Sequence, residues 1–111
     1  MHDMSTIVQP ISLLVSDERD RAAKIHGECF YTYHDGYGVI AEEAQEARDC
    51  LDRVEVVLQQ LLRAIREDRS KVMVDLSGYI RDTAVHGAAE LVQVAAMCEK
   101  MTATVKEVRK I

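Results

Sequence analysis

Proline occurs once in the 111 residues, at Pro10, and glycine five times. Between Gly38 and Gly78 neither is found, so nothing in that stretch obliges a helix to stop. Aromatic residues make up 5%, with no tryptophan, and most of them crowd into Phe30, Tyr31, Tyr33 and Tyr37. Cysteine occurs three times, at Cys29, Cys50 and Cys98, an odd number with no CxxC pair. That excludes a dense disulfide framework and argues against a structural zinc site, which takes four ligands. His26, Cys29 and His34 are close enough in sequence to be weighed as soft-metal ligands, but a packed Cys29 between surface histidines is the simpler expectation. No apolar run approaches the roughly 20 residues of a membrane span. The opening Met1-His2-Asp3-Met4 has neither the basic lead nor the apolar core of a secretory signal, so reduced thiols in a cytoplasmic location are expected.

Concentrated positive charge is also missing. The chain has 14 basic and 19 acidic side chains, a net charge of −5, and the basic ones are scattered. A nucleic-acid surface needs a positive footprint, so no nucleic-acid partner is expected. A carboxylate-rich chain that handles a polyanion needs a divalent cation between the two.

With 48% hydrophobic and 30% charged residues, the composition is that of a globular chain. Its length fits one domain over residues 1–111, small enough for partner subunits to matter. Residues 1–9 read as a frayed end. Pro10 then suits a first helical turn, Ile11, Leu14, Val15, Ala22 and Ile25 follow at helical spacing, and Gly27 stands where a helix stops, predicting a helix from Pro10 to His26. The segment Gly27 to His34 has no clean period and reads as a loop.

From His34 onward Ile40, Ala44, Ala47, Leu51, Val54, Leu58, Leu61 and Ile65 alternate spacings of four and three, a coiled-coil-like seam. Roughly 33 helical residues would run about 50 Å, more than a compact domain of this size accommodates without a bend or a partner. A homodimer or higher homo-oligomer is therefore expected. Glu67-Asp68-Arg69-Ser70 is a polar break, with Ser70 a candidate N-cap. Beyond it Met73, Leu76 and Ile80 form one apolar row, and Leu91, Val94, Cys98, Met101, Val105 and Val108 another. A break between the two is predicted near Val85 to Gly87. Nothing alternates with period two, so the fold class is all-α: a helical bundle with one long central helix.

Chemistry is suggested at Ile40-Ala41-Glu42-Glu43-Ala44-Gln45-Glu46-Ala47, where three carboxylates fall within five residues. Glu43 belongs to the seven-residue row Glu43, Cys50, Val57, Ala64, which is otherwise apolar, so it points inward. Glu46 projects from the same side, and Glu42 lies closer to solvent. Partly buried carboxylates need a proton or a cation, and a hard divalent ion would serve. Glu90 and Gln93, three apart in the apolar run Leu91 to Met97, could face them from an antiparallel helix. His86, one turn before Glu90, shares that stripe. A solvated acidic face is the plain alternative for the cluster, and ordinary packing is the plain alternative for Cys50, Cys98, Met73, Met97 and Met101.

The combination Glu42-Glu43-x-x-Glu46 with Glu90-x-x-Gln93 resembles the EExxE and ExxD signature of the MazG-like all-α nucleoside triphosphate pyrophosphohydrolases. The lead-in His34-Asp35-Gly36-Tyr37-Gly38 and the run Ala89 to Met97 are similar to a phage- or prophage-borne branch, and the resemblance covers roughly residues 26–101. It implies that Glu43, Glu46, Glu90 and Gln93 hold Mg²⁺, with Mn²⁺ a possible substitute, against the phosphates of a nucleotide. Water then attacks the α-phosphorus to give a monophosphate and pyrophosphate, a house-cleaning activity. Glu42 and Glu43 would be its catalytic carboxylates, and His34, Tyr37 and His86 would contact the substrate. Two departures stand out: Gln93 replaces an aspartate, removing a charge, and 43 residues separate Glu46 from Glu90, more than the compact pattern has. The alternative is a non-catalytic helical interaction protein on the same scaffold.

Overall fold

In the computed structural model, described over residues 4–109, three helices account for nearly the whole chain and no strand occurs among the described residues. They are α1 (Ser5–His26), α2 (Tyr33–Arg66) and α3 (Ser70–Arg109). The chain is therefore all-α, as the absence of any period-two pattern predicts.

Helix α1 starts five residues before Pro10, because the Met4 carbonyl accepts the Ile7 and Val8 N–H groups at 2.9 and 3.1 Å. Residues 1–3 of the expected frayed end lie outside the described residues. Pro10 sits within α1 rather than at its first turn, which leaves the Thr6 carbonyl without its usual intrahelical donor. The helix ends where expected: Gly27 has φ 86° and ψ 168°, a region open essentially to glycine alone, and donates its N–H to the Ala23 carbonyl at 2.9 Å. Of the apolar residues on α1, Val15 and Ala22 are buried, while Ile11, Leu14 and Ile25 are exposed.

Helix α2 begins one residue before the predicted start. Thr32 caps it: its Oγ1 accepts the Asp35 N–H at 3.0 Å, and its carbonyl accepts the Gly36 N–H at 3.2 Å. Such a cap is worth about 1 kcal/mol, and Asp35 adds a favourable charge at the positive end of the helix. The helix ends in a Schellman turn. Arg69 N–H bonds the Ala64 carbonyl at 2.9 Å and Asp68 N–H the Ile65 carbonyl at 3.2 Å, with Asp68 left-handed at φ 54°. The Arg69 carbonyl accepts the Met73 N–H at 3.0 Å, so Arg69 occupies the cap position and Ser70, the expected N-cap, is the first residue of α3.

The predicted break near Val85 to Gly87 does not exist, and α3 runs unbroken from Ser70 to Arg109. Gly87 is there for close approach: a Cβ built on it would lie 3.2 Å from Cys50 Cβ. Glycine is tolerated inside the helix because it lets α2 come near.

The chain packs as two compact units, Met1–Ala44 with Leu91–Ile111, and Gln45–Glu90. In the first, Val15 and Ala22 of α1 meet Ala96 and Met97 of α3, and Phe30, Val39, Ile40, Val92 and Ala95 close around them. The second is a helical hairpin in which Cys50, Val57 and Ala64 of α2 are buried, the seven-residue row that the sequence marks as inward. The predicted seam is only half right, since Leu51, Leu58 and Ile65 are exposed while Val54 and Leu61 are partly covered. The buried row of α2 is built of Cys50, Val57 and Ala64, while Leu51, Leu58 and Leu62 are exposed.

Candidate functional site

Glu46 on α2 and Glu90 on α3 meet within the hairpin unit. Glu46 is exposed, and its pKa is raised, first by a hydrogen bond with the Glu90 side chain, then by that residue's charge, by desolvation and by the charge of Asp49. A protonated Glu46 donates to Glu90, and two ionised carboxylates at this separation repel. Glu90 Oε2 is buried and has no hydrogen-bond donor among the described residues. An acceptor so placed calls for a proton or a cation.

Glu43 and Gln93 come together in the first unit. Both line a cavity of about 400 Å³, together with residues of α1 and the segment before α2. Glu43 is partly buried, as its row predicts, and Glu42 is exposed. His34 and Tyr37 are exposed on the opening turns of α2, away from the cavity lining. His86 is exposed on α3 in the hairpin unit. His26, Cys29 and His34 do not form a metal cluster, and no group of three or more His, Cys, Asp or Glu side chains gathers closely enough to hold an ion among the described residues.

Several residues of this cavity escape a reading of the sequence. Glu18, Arg21 and His26 reach it from α1, where Glu18 accepts two hydrogen bonds from Arg21, at 2.5 and 3.0 Å. The same bond holds the Glu18 carboxyl below its ordinary pKa and the Arg21 guanidinium above its own. Phe30 and Lys100 complete the wall. Thr104, 3% exposed, accepts the Phe30 N–H at 2.9 Å and donates to the Lys100 carbonyl at 2.8 Å. The Lys100 ammonium lies 4.6 Å from the centroid of the Phe30 ring.

On α3 Met97, Lys100 and Thr104 are buried and Gln93 partly so, whereas the expected apolar row is split: Val94, Met101 and Val105 are partly buried and Leu91, Cys98 and Val108 are exposed. The available signal is a spacing of four, three and four from Gln93 through Met97 and Lys100 to Thr104, three of whose members are polar. No family model, no curated protein and no solved structure matches the chain. Class and function therefore stand on these side chains and on the three-helix all-α architecture.

Proposed function

We propose that the protein is a Mg²⁺-dependent nucleoside triphosphate pyrophosphohydrolase of the MazG-like kind, releasing a nucleoside monophosphate and pyrophosphate. The observation that carries this reading is the pair Glu46 and Glu90: two carboxylates from two helices face each other, and one oxygen is buried without a donor. Mg²⁺ keeps several waters and is commonly held by one or two protein carboxylates plus substrate phosphates, so a pair of carboxylates suits it. Bound there, the ion would supply Lewis-acid polarisation of a phosphoryl oxygen and screen the carboxylates from the triphosphate. Mn²⁺ meets the same oxygen donors. Glu46 and Glu90 would hold the cation, and the resemblance gives Glu42 the part of orienting water.

The test is a calorimetric Mg²⁺ titration of wild type and Glu90→Gln, run beside pyrophosphate release from a panel of ordinary and modified nucleoside triphosphates. Saturable binding lost in the variant, with release from at least one triphosphate, is expected. A folded protein silent across the panel would abolish the catalytic claim.

A second reading rests on a different observation. Leu51, Leu58, Leu62 and Ile65 form one exposed stripe on α2 in the hairpin unit, more apolar surface in a row than a solvated helix requires. It suits a helical interaction protein, or the seam of a homodimer or larger homo-oligomer. Light scattering after size exclusion discriminates: Leu58→Glu should reduce a dimer to a monomer, and a monomeric wild type removes the seam from consideration.

A further inference from the structure

The face of α1 that packs on α3 through Val15 and Ala22 does not end where the packing does. Met4, Ile7, Val8, Ile11 and Leu14 carry it toward the N-terminus at helical spacing, and they are 43–56% exposed. From Met4 to Ser16 the chain holds no charged side chain. The opposite side of this stretch is Ser5, Thr6, Gln9, Ser12 and Ser16, with Leu13 among them. Five apolar side chains, each about half exposed, present on the order of 450 Å² of apolar surface, a patch size that is often functional. A standard interface takes about 800 Å² from each partner, a little over half of it apolar, so the stripe matches the apolar share of one side. A helix lying in a membrane surface carries Lys or Arg on its polar face, and this one has neither. A partner that docks by opposite charge finds nothing to pair with here, whereas an equally uncharged stripe fits.

We infer that a second copy of this chain covers the stripe, the two α1 helices lying antiparallel about a two-fold axis near Gln9. That register sets Met4 against the partner's Leu14 and Ile7 against the partner's Ile11, with Val8 beside the axis, and the symmetry repeats each pair with the roles exchanged. Every charged residue of α1 falls outside the overlap. A parallel pairing would instead set Glu18, next in line on the same face, beside its own copy. The surface belongs to the first unit and is separate from the α2 stripe of the hairpin unit. It holds whether or not the chain hydrolyses a nucleotide.

The experiment is light scattering after size exclusion on the full chain at about 100 μM, where an interface of standard size is populated. Wild type should run at an even multiple of the monomer mass, and Ile11→Glu should halve it. Leu13→Glu, on the other side of the same helix, should leave it unchanged. Leu58→Glu separates the two stripes: a mass that falls there but holds in Ile11→Glu overturns this inference and leaves the α2 seam standing. A monomeric wild type, an Ile11→Glu of unchanged mass, or an equal fall in Leu13→Glu also overturns it. If Ile11→Glu does not fold, Val8→Cys decides, in a Cys29→Ala, Cys98→Ala background treated with copper–phenanthroline as oxidant. A disulfide-linked dimer supports the pairing, and monomer alone overturns it.

Discussion

Replacing Gly87 with alanine should fail to stabilise α3, whereas the same change at Gly78 should succeed. Both glycines lie inside α3. Alanine is favoured over glycine in a helix interior by about 0.8–1.0 kcal/mol. At Gly78 an added methyl meets nothing within 4 Å, so the whole gain is available. At Gly87 it lands 3.2 Å from Cys50 Cβ, and neither atom can rotate away because each is attached directly to its backbone. The helices must part by a few tenths of an ångström, and overpacking of this kind costs about 1–3 kcal/mol. The two variants should therefore differ by roughly 1–3 kcal/mol, which at about 4–8 °C per kcal/mol for a small domain is visible in a thermal melt followed by circular dichroism. Cys50→Ala should not rescue Gly87→Ala, because the obstacle is the Cβ; the sulfur is 4.0 Å away. If Gly87→Ala melts as high as Gly78→Ala, the helices do not approach through Gly87, and the account of the hairpin is wrong.

Glu46→Gln should raise the melting temperature of metal-free protein at neutral pH, since the amide donates to Glu90 where the carboxylate repels it. The folded pKa of Glu46 is raised, so its contribution is unfavourable while it is ionised and is relieved as pH falls through that pKa. The gap between variant and wild type should close toward acid pH, and a gap that widens there would contradict the pairing. Thr104→Val removes an acceptor and a donor at a buried site, and chemical denaturation should register a loss of about 1–3 kcal/mol. Asp68→Gly relieves a left-handed residue and should stabilise by about 1 kcal/mol in the same assay; a destabilised variant would mean the side chain does something the turn geometry omits.

The parts of the fold visible in the sequence are those where one physical demand fell on one residue type. Gly27 stops α1 because its backbone angles exclude other residues, and the row Cys50, Val57, Ala64 keeps a strict seven-residue period in a stretch with no breaker. Gly87 misled because a glycine in a helix marks either a break or a close neighbour, and the neighbour, Cys50, is 37 positions away in the chain. The seam through Leu51 and Leu58 is not buried because the spacing of large apolar residues marks a helix face without saying whether that face is covered. At the candidate site, Glu43 is legible as a carboxylate in an apolar row, and Gln93 arrives at the same cavity. Lys100 and Thr104 are not legible, because a polar residue on a helix ordinarily faces water, and only the packing around them buries these two; Arg21 stays exposed at the edge of the cavity.

The narrow contact between Gly87 and Cys50 has a consequence for kinetics. Cys50 is buried behind it, whereas Cys98 is exposed. A thiol reagent should label Cys98 at the rate of an accessible cysteine and reach Cys50 only during intervals when the hairpin is open. Cys29 is only partly buried, so in a Cys29→Ala, Cys98→Ala background the slow modification of Cys50 becomes a clock for those openings. A Mg²⁺ ion held between Glu46 and Glu90 would slow it in proportion to the time the hairpin stays shut, which lets occupancy be read without turnover.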